Sequence, residues 1–410
     1  MSADIRVPQG WAVITLGKLA DLERGKFSAR PRNDPRYFGG PFPFIQTGDV
    51  RNGHGVIRSY SQTLNEHGLR VSKLFPARTL FMTIAANVGD MGTADFACAC
   101  PDSLVALRPH FGVNQDWLQY ALAAKKKQLE SIATQNAQAN LNLEKLVPFP
   151  LVVPGHIEQS AIAGALKDAD EYIWALEALI AKKRDIKQGL MQEIFTGRTR
   201  LPGFSDPWKE LLVSDLLEFK NGLNKASQFF GHGTPIVNFM DVMRSPVITA
   251  ARVTGLVSLS REEIGRFAAR RGDMFFTRTS ESVEEIGTAG VLVDDIPNAV
   301  FSGFVLRGRP IAPVNTTFLA YQFQLPSVRK QVIATASYTT RALTNGGSLG
   351  RVRVLVPSTD EQAAVVAVLA DVDAELAALE RRLDSAQAVK IGMMQELLTG
   401  RTRLPLEAAS

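Results

Sequence analysis

Twelve residues occur twice with two substitutions: MQEIFTGRTRLP at 191–202 and MQELLTGRTRLP at 394–405. The separation is 203 residues, about half of the 410-residue chain. Solenoid units are several times shorter. The duplication therefore points to two similar domains, each followed by the same connecting element. The same offset pairs Pro154 with Pro357, Glu158-Gln159 with Glu361-Gln362, Leu166 with Leu369, Asp170 with Asp373 and Gly189 with Gly392. With smaller offsets, Trp11, Leu16, Leu19, Leu22 and Gly25 match Trp208, Val213, Leu216, Phe219 and Gly222. Near Thr83 and Thr277 the agreement is loose, and between these anchors it mostly disappears. A shared frame with diverged interiors suits a target with two like parts.

The shared parts include two long amphipathic stretches. Ile162, Leu166, Ala169, Ile173, Leu176, Ile180, Leu190 and Ile194 follow 4-3 spacing, with Lys183 and Lys187 at the two seam positions in between. In the second half the seam is Val365, Leu369, Val372, Leu376, Leu379, Leu383, Ala386, Lys390, Met393 and Leu397. Heptads sustained this far predict two long helices, each about 60 Å long at 1.5 Å per residue. Gly197 and Gly400 suit a left-handed helix stop. A single helix would leave its stripe wet, so the two are expected to pack together. Ile162, Leu166, Ile173, Leu176 and Ile180 are the candidate interface on the first, and Leu369, Leu376, Leu379 and Leu383 on the second. The long segment between them leaves an antiparallel pairing open. Lys187 and Lys390 are placed to set its register.

Charge separates the frame from the rest. Residues 157–197 hold five Lys/Arg against seven Asp/Glu, and residues 360–400 hold three against eight. The total is +5, so the remainder carries +12. Positive charge concentrated in the globular segments favours a polyanionic partner there. An apolar fraction of 45% is ample for packed cores. No run of about 18 apolar residues occurs, which predicts no membrane span. No basic, apolar, small-residue leader opens the chain. Cys98 and Cys100 are too close for an ordinary disulfide and too few for a zinc site. A reducing, cytoplasmic compartment is expected.

Several diverged, polar stretches are candidates for DNA contact. The basic loop 24–32 offers Lys26, Arg30 and Arg32. Gln135, Asn136, Gln138 and Asn140 form an amide-rich stretch, and amides pair bidentately with adenine. Arg278, Thr279 and Ser280 offer a guanidinium for guanine and hydroxyls for base edges or phosphate. Arg341 ends a similar stretch, 338–341. No Walker A sequence, G-x-G-x-x-G loop or metal-ligand spacing is present. No catalytic or metal site is expected.

The order and spacing of these features resemble the specificity subunit of type I restriction–modification systems. The carriers are the half-length repeat, the Pro-x-x-x-Glu-Gln helix starts (Pro154 to Gln159, Pro357 to Gln362) and the Thr-Gly helix ends. The stretch GDMFFTRTSE at 272–281 is also similar to one in that family's recognition domains. The resemblance implies an α+β chain with a pseudo-two-fold internal repeat. Two mixed α/β target recognition domains, 1–153 and 201–356, would be separated by long helices within 154–200 and 357–410, forming an antiparallel coiled coil. It implies that each domain reads one half of a bipartite double-stranded DNA site. The helices would set the spacer and dock two methyltransferase subunits, with two motor-endonuclease subunits in the full complex. Adenine-N6 methyl transfer and ATP-dependent cleavage would belong to that complex. This chain would have no active site and no cofactor. The alternative reading is an enzyme acting on DNA, a methyltransferase or nuclease, through an unrecognised site.

Overall fold

The computed structural model describes residues 7–135, 139–338 and 341–405. They divide into two compact units, Met1–Glu177 with Arg381–Ser410, and Ala178–Glu380. The long helices are present as His156–Phe195 and Thr359–Leu397. The sequence boundaries set these helices apart from the globular segments, whereas each compact unit takes part of both. The cause is burial. In the first unit Ile162 and Leu166, from the start of one helix, share a core with Leu397, from the end of the other, and with Leu16, Leu80 and Trp117. In the second unit Val365 and Leu369 share a core with Ile194, Phe195, Leu216, Phe276 and Phe318. Each such fully buried side chain contributes about 1.5–3 kcal/mol.

The expected strand-to-helix start is found twice. Ala12–Thr15 leads into the helical turn Leu16–Leu19 and the strand Ala20–Arg24. Lys209–Leu212, Val213–Leu216 and Leu217–Asn221 repeat it. Each unit then builds a five-stranded sheet. In the first the spatial order is Ala20–Arg24, Leu104–Pro109, Thr79–Thr83, Met91–Ala94, Gly55–Ile57. In the second it is Leu217–Asn221, Val305–Pro310, Met274–Thr277, Ala289–Leu292, Val247–Ile248. In both, the last pair is parallel and the others antiparallel. The strands Thr79–Thr83 and Met274–Thr277 are buried throughout, which is why Leu80, Phe81 and Met82, and Met274, Phe275 and Phe276, read as apolar runs without alternation.

Glycine matters to this frame in two ways. At Gly25 and Gly222 a Cβ would lie 2.2 Å from the Pro101 carbonyl oxygen and 2.0 Å from that of Ser302. Only glycine lets the strand end come this close to the turn. At Gly197 and Gly400 φ is +71° and +66°, the left-handed stop that ends each long helix.

Within each unit, polar contacts pair later residues of one long helix with earlier residues of the other, as in Asp170–Lys390 against Tyr172–Arg382 and Arg184–Glu380 against Lys187–Asp373, so the helices run antiparallel there. Lys390 meets Asp170 and Arg382 meets Tyr172 in the first unit. Lys183 meets Glu375 at 2.7 Å, Arg184 meets Glu380 at 2.6 Å and Lys187 meets Asp373 at 2.5 Å in the second. The more exposed of these pairs contribute little, about 0–1 kcal/mol each. Ile162, Leu166, Ile173, Leu176, Ile180, Leu369 and Leu376 are buried, while Leu379 and Leu383 are only partly so.

Among the described residues no helix is long and apolar enough to cross a membrane, and no cluster of three or more His, Cys, Asp or Glu side chains could hold a metal ion. Cys98 and Cys100 are free and buried. Burial pushes the Cys98 thiol up to about 12, the opposite of a reactive thiolate.

Candidate nucleic-acid interface

Three polar clusters recur in both units and fix where everything else sits. Trp11 donates its indole N–H to Glu158 at 2.9 Å, and Arg403 donates to the same carboxylate at 2.8 Å. In the second unit Trp208 donates to Glu361 at 3.2 Å, and Arg200 donates through Nε and Nη2, both at 2.7 Å. The Glu361 hydrogen bond holds the Arg200 guanidinium above its ordinary pKa. Gln159 accepts from the Asn114 amide at 2.8 Å, as Gln362 does from Asn315 at 2.8 Å. Tyr120 donates to Asp170 at 2.7 Å beside Lys390. Tyr321 donates to Asp373 at 2.6 Å beside Lys187. Burial, then the aspartate partner, raises the pKa of both phenols. The seam lysines expected to set register are therefore anchored on Tyr–Asp pairs, buried at Tyr120–Asp170 and with Asp373 part-exposed at Tyr321–Asp373. Tyr120, Tyr321, Trp11 and Trp208 gave no sign of this partnership in sequence, because their partners lie 50 to 153 residues away.

The candidate DNA-contact stretches gather at one end of each sheet. In the first unit Arg24 ends one strand opposite Val105, and Thr83 ends another opposite Leu104. The loop after Arg24 is tied down there: the Lys26 amide donates to Cys100 at 3.0 Å, and Arg24 Nε donates to the Asp102 carbonyl at 2.6 Å. Lys26, Arg30 and Arg32 are all exposed. Arg32 pairs with Asp102 at 2.9 Å, and Arg30 donates to the Ala29 carbonyl at 2.8 Å. In the amide-rich stretch Thr134–Gln135 pairs antiparallel with Ala139–Asn140, so Gln135 and Asn140 lie on paired strands. Asn136 and Gln138 lie outside the described residues. The Leu141 amide after this strand pair donates to the Ile84 carbonyl at 2.8 Å, which returns it to the same sheet end.

The second unit repeats this plan and joins two stretches that are distant in sequence. Thr279–Ser280 pairs with Ala342–Leu343, which pairs in turn with Ser337–Tyr338. Arg341 thereby comes beside Glu281, at 3.5 Å. Arg278 is half-buried, and its guanidinium makes no hydrogen bond or ion pair among the described residues. Thr279 is half-buried. Ser280 is buried, and its hydroxyl donates to Glu285. A recess of about 400 Å³ opens here, lined in part by Thr279, Ser280, Glu285 and Arg341. Its aromatic walls, Phe239 and Phe304, escaped sequence reading. An isolated Phe carries no motif, and only the backbone pairing brings these rings beside Thr279.

Comparison with known proteins accounts for this architecture. Residues 8–188 match the type I restriction modification DNA specificity domain. The type I restriction enzyme EcoKI specificity subunit of Escherichia coli K12 is 20% identical over 424 residues, covering 98% of this chain and 90% of that protein. Residues 8–188 thus carry the match to that DNA specificity domain, and nearly the whole chain is similar to type I restriction enzyme specificity subunits. The type I restriction enzyme MjaVIII specificity subunit of Methanocaldococcus jannaschii is 19% identical over 419 residues, covering 98% of this chain and 95% of that one. The crystal structure of a type I S subunit from M. genitalium shares the fold, with a TM-score of 0.59 and 16% identity. That match covers 97% of this chain and 98% of the other. The family named by the resemblance in sequence is thus the one that these matches name. Its members are named for specificity rather than for catalysis.

Proposed function

We propose that this specificity subunit reads a bipartite double-stranded DNA site, one half with each of its two target recognition domains, 1–153 and 201–356. One observation carries the reading. Two sheets of identical strand order present different polar side chains at the same end, on a frame whose polar clusters recur residue for residue. The frame positions, and the diverged ends read. The long helices act as an antiparallel coiled coil that sets the spacer between half-sites. Their acidic, duplicated surfaces dock two methyltransferase subunits, and two motor-endonuclease subunits complete the restriction complex. The chain works in the cytoplasm and contributes no catalytic group or cofactor.

The test uses Arg278, whose guanidinium at the second sheet end makes no hydrogen bond or ion pair among the described residues. With the chain assembled on its methyltransferase, Arg278→Ala relaxes recognition at one position of one half-site, and the other half-site is unchanged. Loss of one bidentate base contact costs roughly 1–3 kcal/mol. Selection from a pool of randomised duplexes reads this directly. Weakening that is equal on all sequences would make Arg278 a phosphate contact instead.

A further inference from the structure

The two sheet ends can be compared atom by atom along the main chain. In the first unit the Ile84 amide donates to the Ser103 carbonyl at 2.9 Å, and the Ile84 carbonyl accepts from Leu141 at 2.8 Å. In the second the Arg278 amide donates to the Phe304 carbonyl at 3.0 Å, and the Arg278 carbonyl accepts from Thr344 at 3.0 Å. The backbone is the same and the side chains are not. Ile84 is fully buried in its core, and Ser103 holds the outer position. In the second unit Arg278 replaces the isoleucine, and Phe304, 60% exposed, replaces the serine. The recess of about 400 Å³ lies beside that ring.

We infer that this recess and the Phe304 ring read one base pair of the second half-site, an inference that rests on the DNA-recognition reading above. A lone exposed Phe is ordinary on a protein surface. This one is held at both ends of its peptide unit, its amide donating to the Ser302 hydroxyl at 3.3 Å and its carbonyl accepting from Arg278. It lines a cavity with Phe239, Thr279, Ser280, Glu281, Glu285 and Arg341, where Glu285 accepts from the Ser280 hydroxyl and Glu281 pairs with Arg341. Apolar rings take a thymine methyl or a base face, while hydroxyl and guanidinium groups take base edges. At this position the two domains share a backbone and differ in side chain. Two domains that read different half-sites must differ at the residues that read.

The experiment is Phe304→Ser in the full chain assembled with its methyltransferase. The substitution installs the side chain that the equivalent turn already carries, so the fold tolerates it. The probe is a pool of randomised duplexes, from which bound sequences are selected and read. The variant accepts several bases at one position of one half-site where the parent accepts one, and affinity for the parent's sequence falls about 5- to 100-fold. The other half-site is unchanged. Arg341→Ala relaxes the same position or its neighbour. An unchanged preference at every position, or a loss equal on all sequences, overturns the inference while the DNA-recognition reading stands. If the parent assembly itself selects no sequence, that reading fails first.

Discussion

Asp170→Ala destabilises the first unit by about 3 kcal/mol. The Asp170 side chain is 10% exposed and meets Lys390, itself 23% exposed, from the other long helix. It also accepts from Tyr120 at 2.7 Å. Alanine leaves an ammonium and a phenol half-buried without an acceptor, and an uncompensated charge is the costly term. Three of the four tryptophans, Trp11, Trp117 and Trp174, lie in this unit, so their fluorescence reports its denaturant transition. Two units need not unfold as one, and Trp208 follows the other. A double exchange, Asp170→Lys with Lys390→Asp, recovers part of the loss that Asp170→Lys alone causes. No recovery would mean that the pair does not hold the helices in register.

Leu166→Ala costs the same unit about 2–5 kcal/mol. Leu166 is fully buried among Leu16, Trp117 and Leu397, and a core cut to this depth leaves a cavity that cannot collapse. Val389, 61% exposed on the opposing helix, provides the control: Val389→Ala stays within about 0.5 kcal/mol. The two midpoints are compared by chemical denaturation. A Leu166 effect no larger than the Val389 effect would contradict the burial of the seam.

Much of the frame was legible because repetition marks it. Identical letters 203 residues apart need no three-dimensional knowledge, and 4-3 spacing states a helix face outright. Lys187 and Lys390 stood out as polar residues in an apolar seam, but their aspartate and tyrosine partners did not. Those contacts are made by folding, not by spacing. Boundaries were less legible. Residues 154–200 read as a separate helical segment, yet Ile162 and Leu166 belong to the core that also holds Leu80 and Trp117. The reading surface was least legible. Arg278 and Arg341 were singled out by residue type alone, and Phe304 was not singled out. The role proposed for it rests on a backbone equivalence with Ser103 that no letters record.

The central claim is that one chain reads two different half-sites held at a fixed distance. Sequencing of N6-methyladenine in the genome of cells carrying this chain and its methyltransferase tests it most directly. The account predicts one motif in two specific parts, unlike each other, separated by a spacer of constant length and no sequence preference. The methylated adenines should fall in both parts. A single continuous motif, two halves alike in sequence, or a spacer that varies from site to site would contradict it.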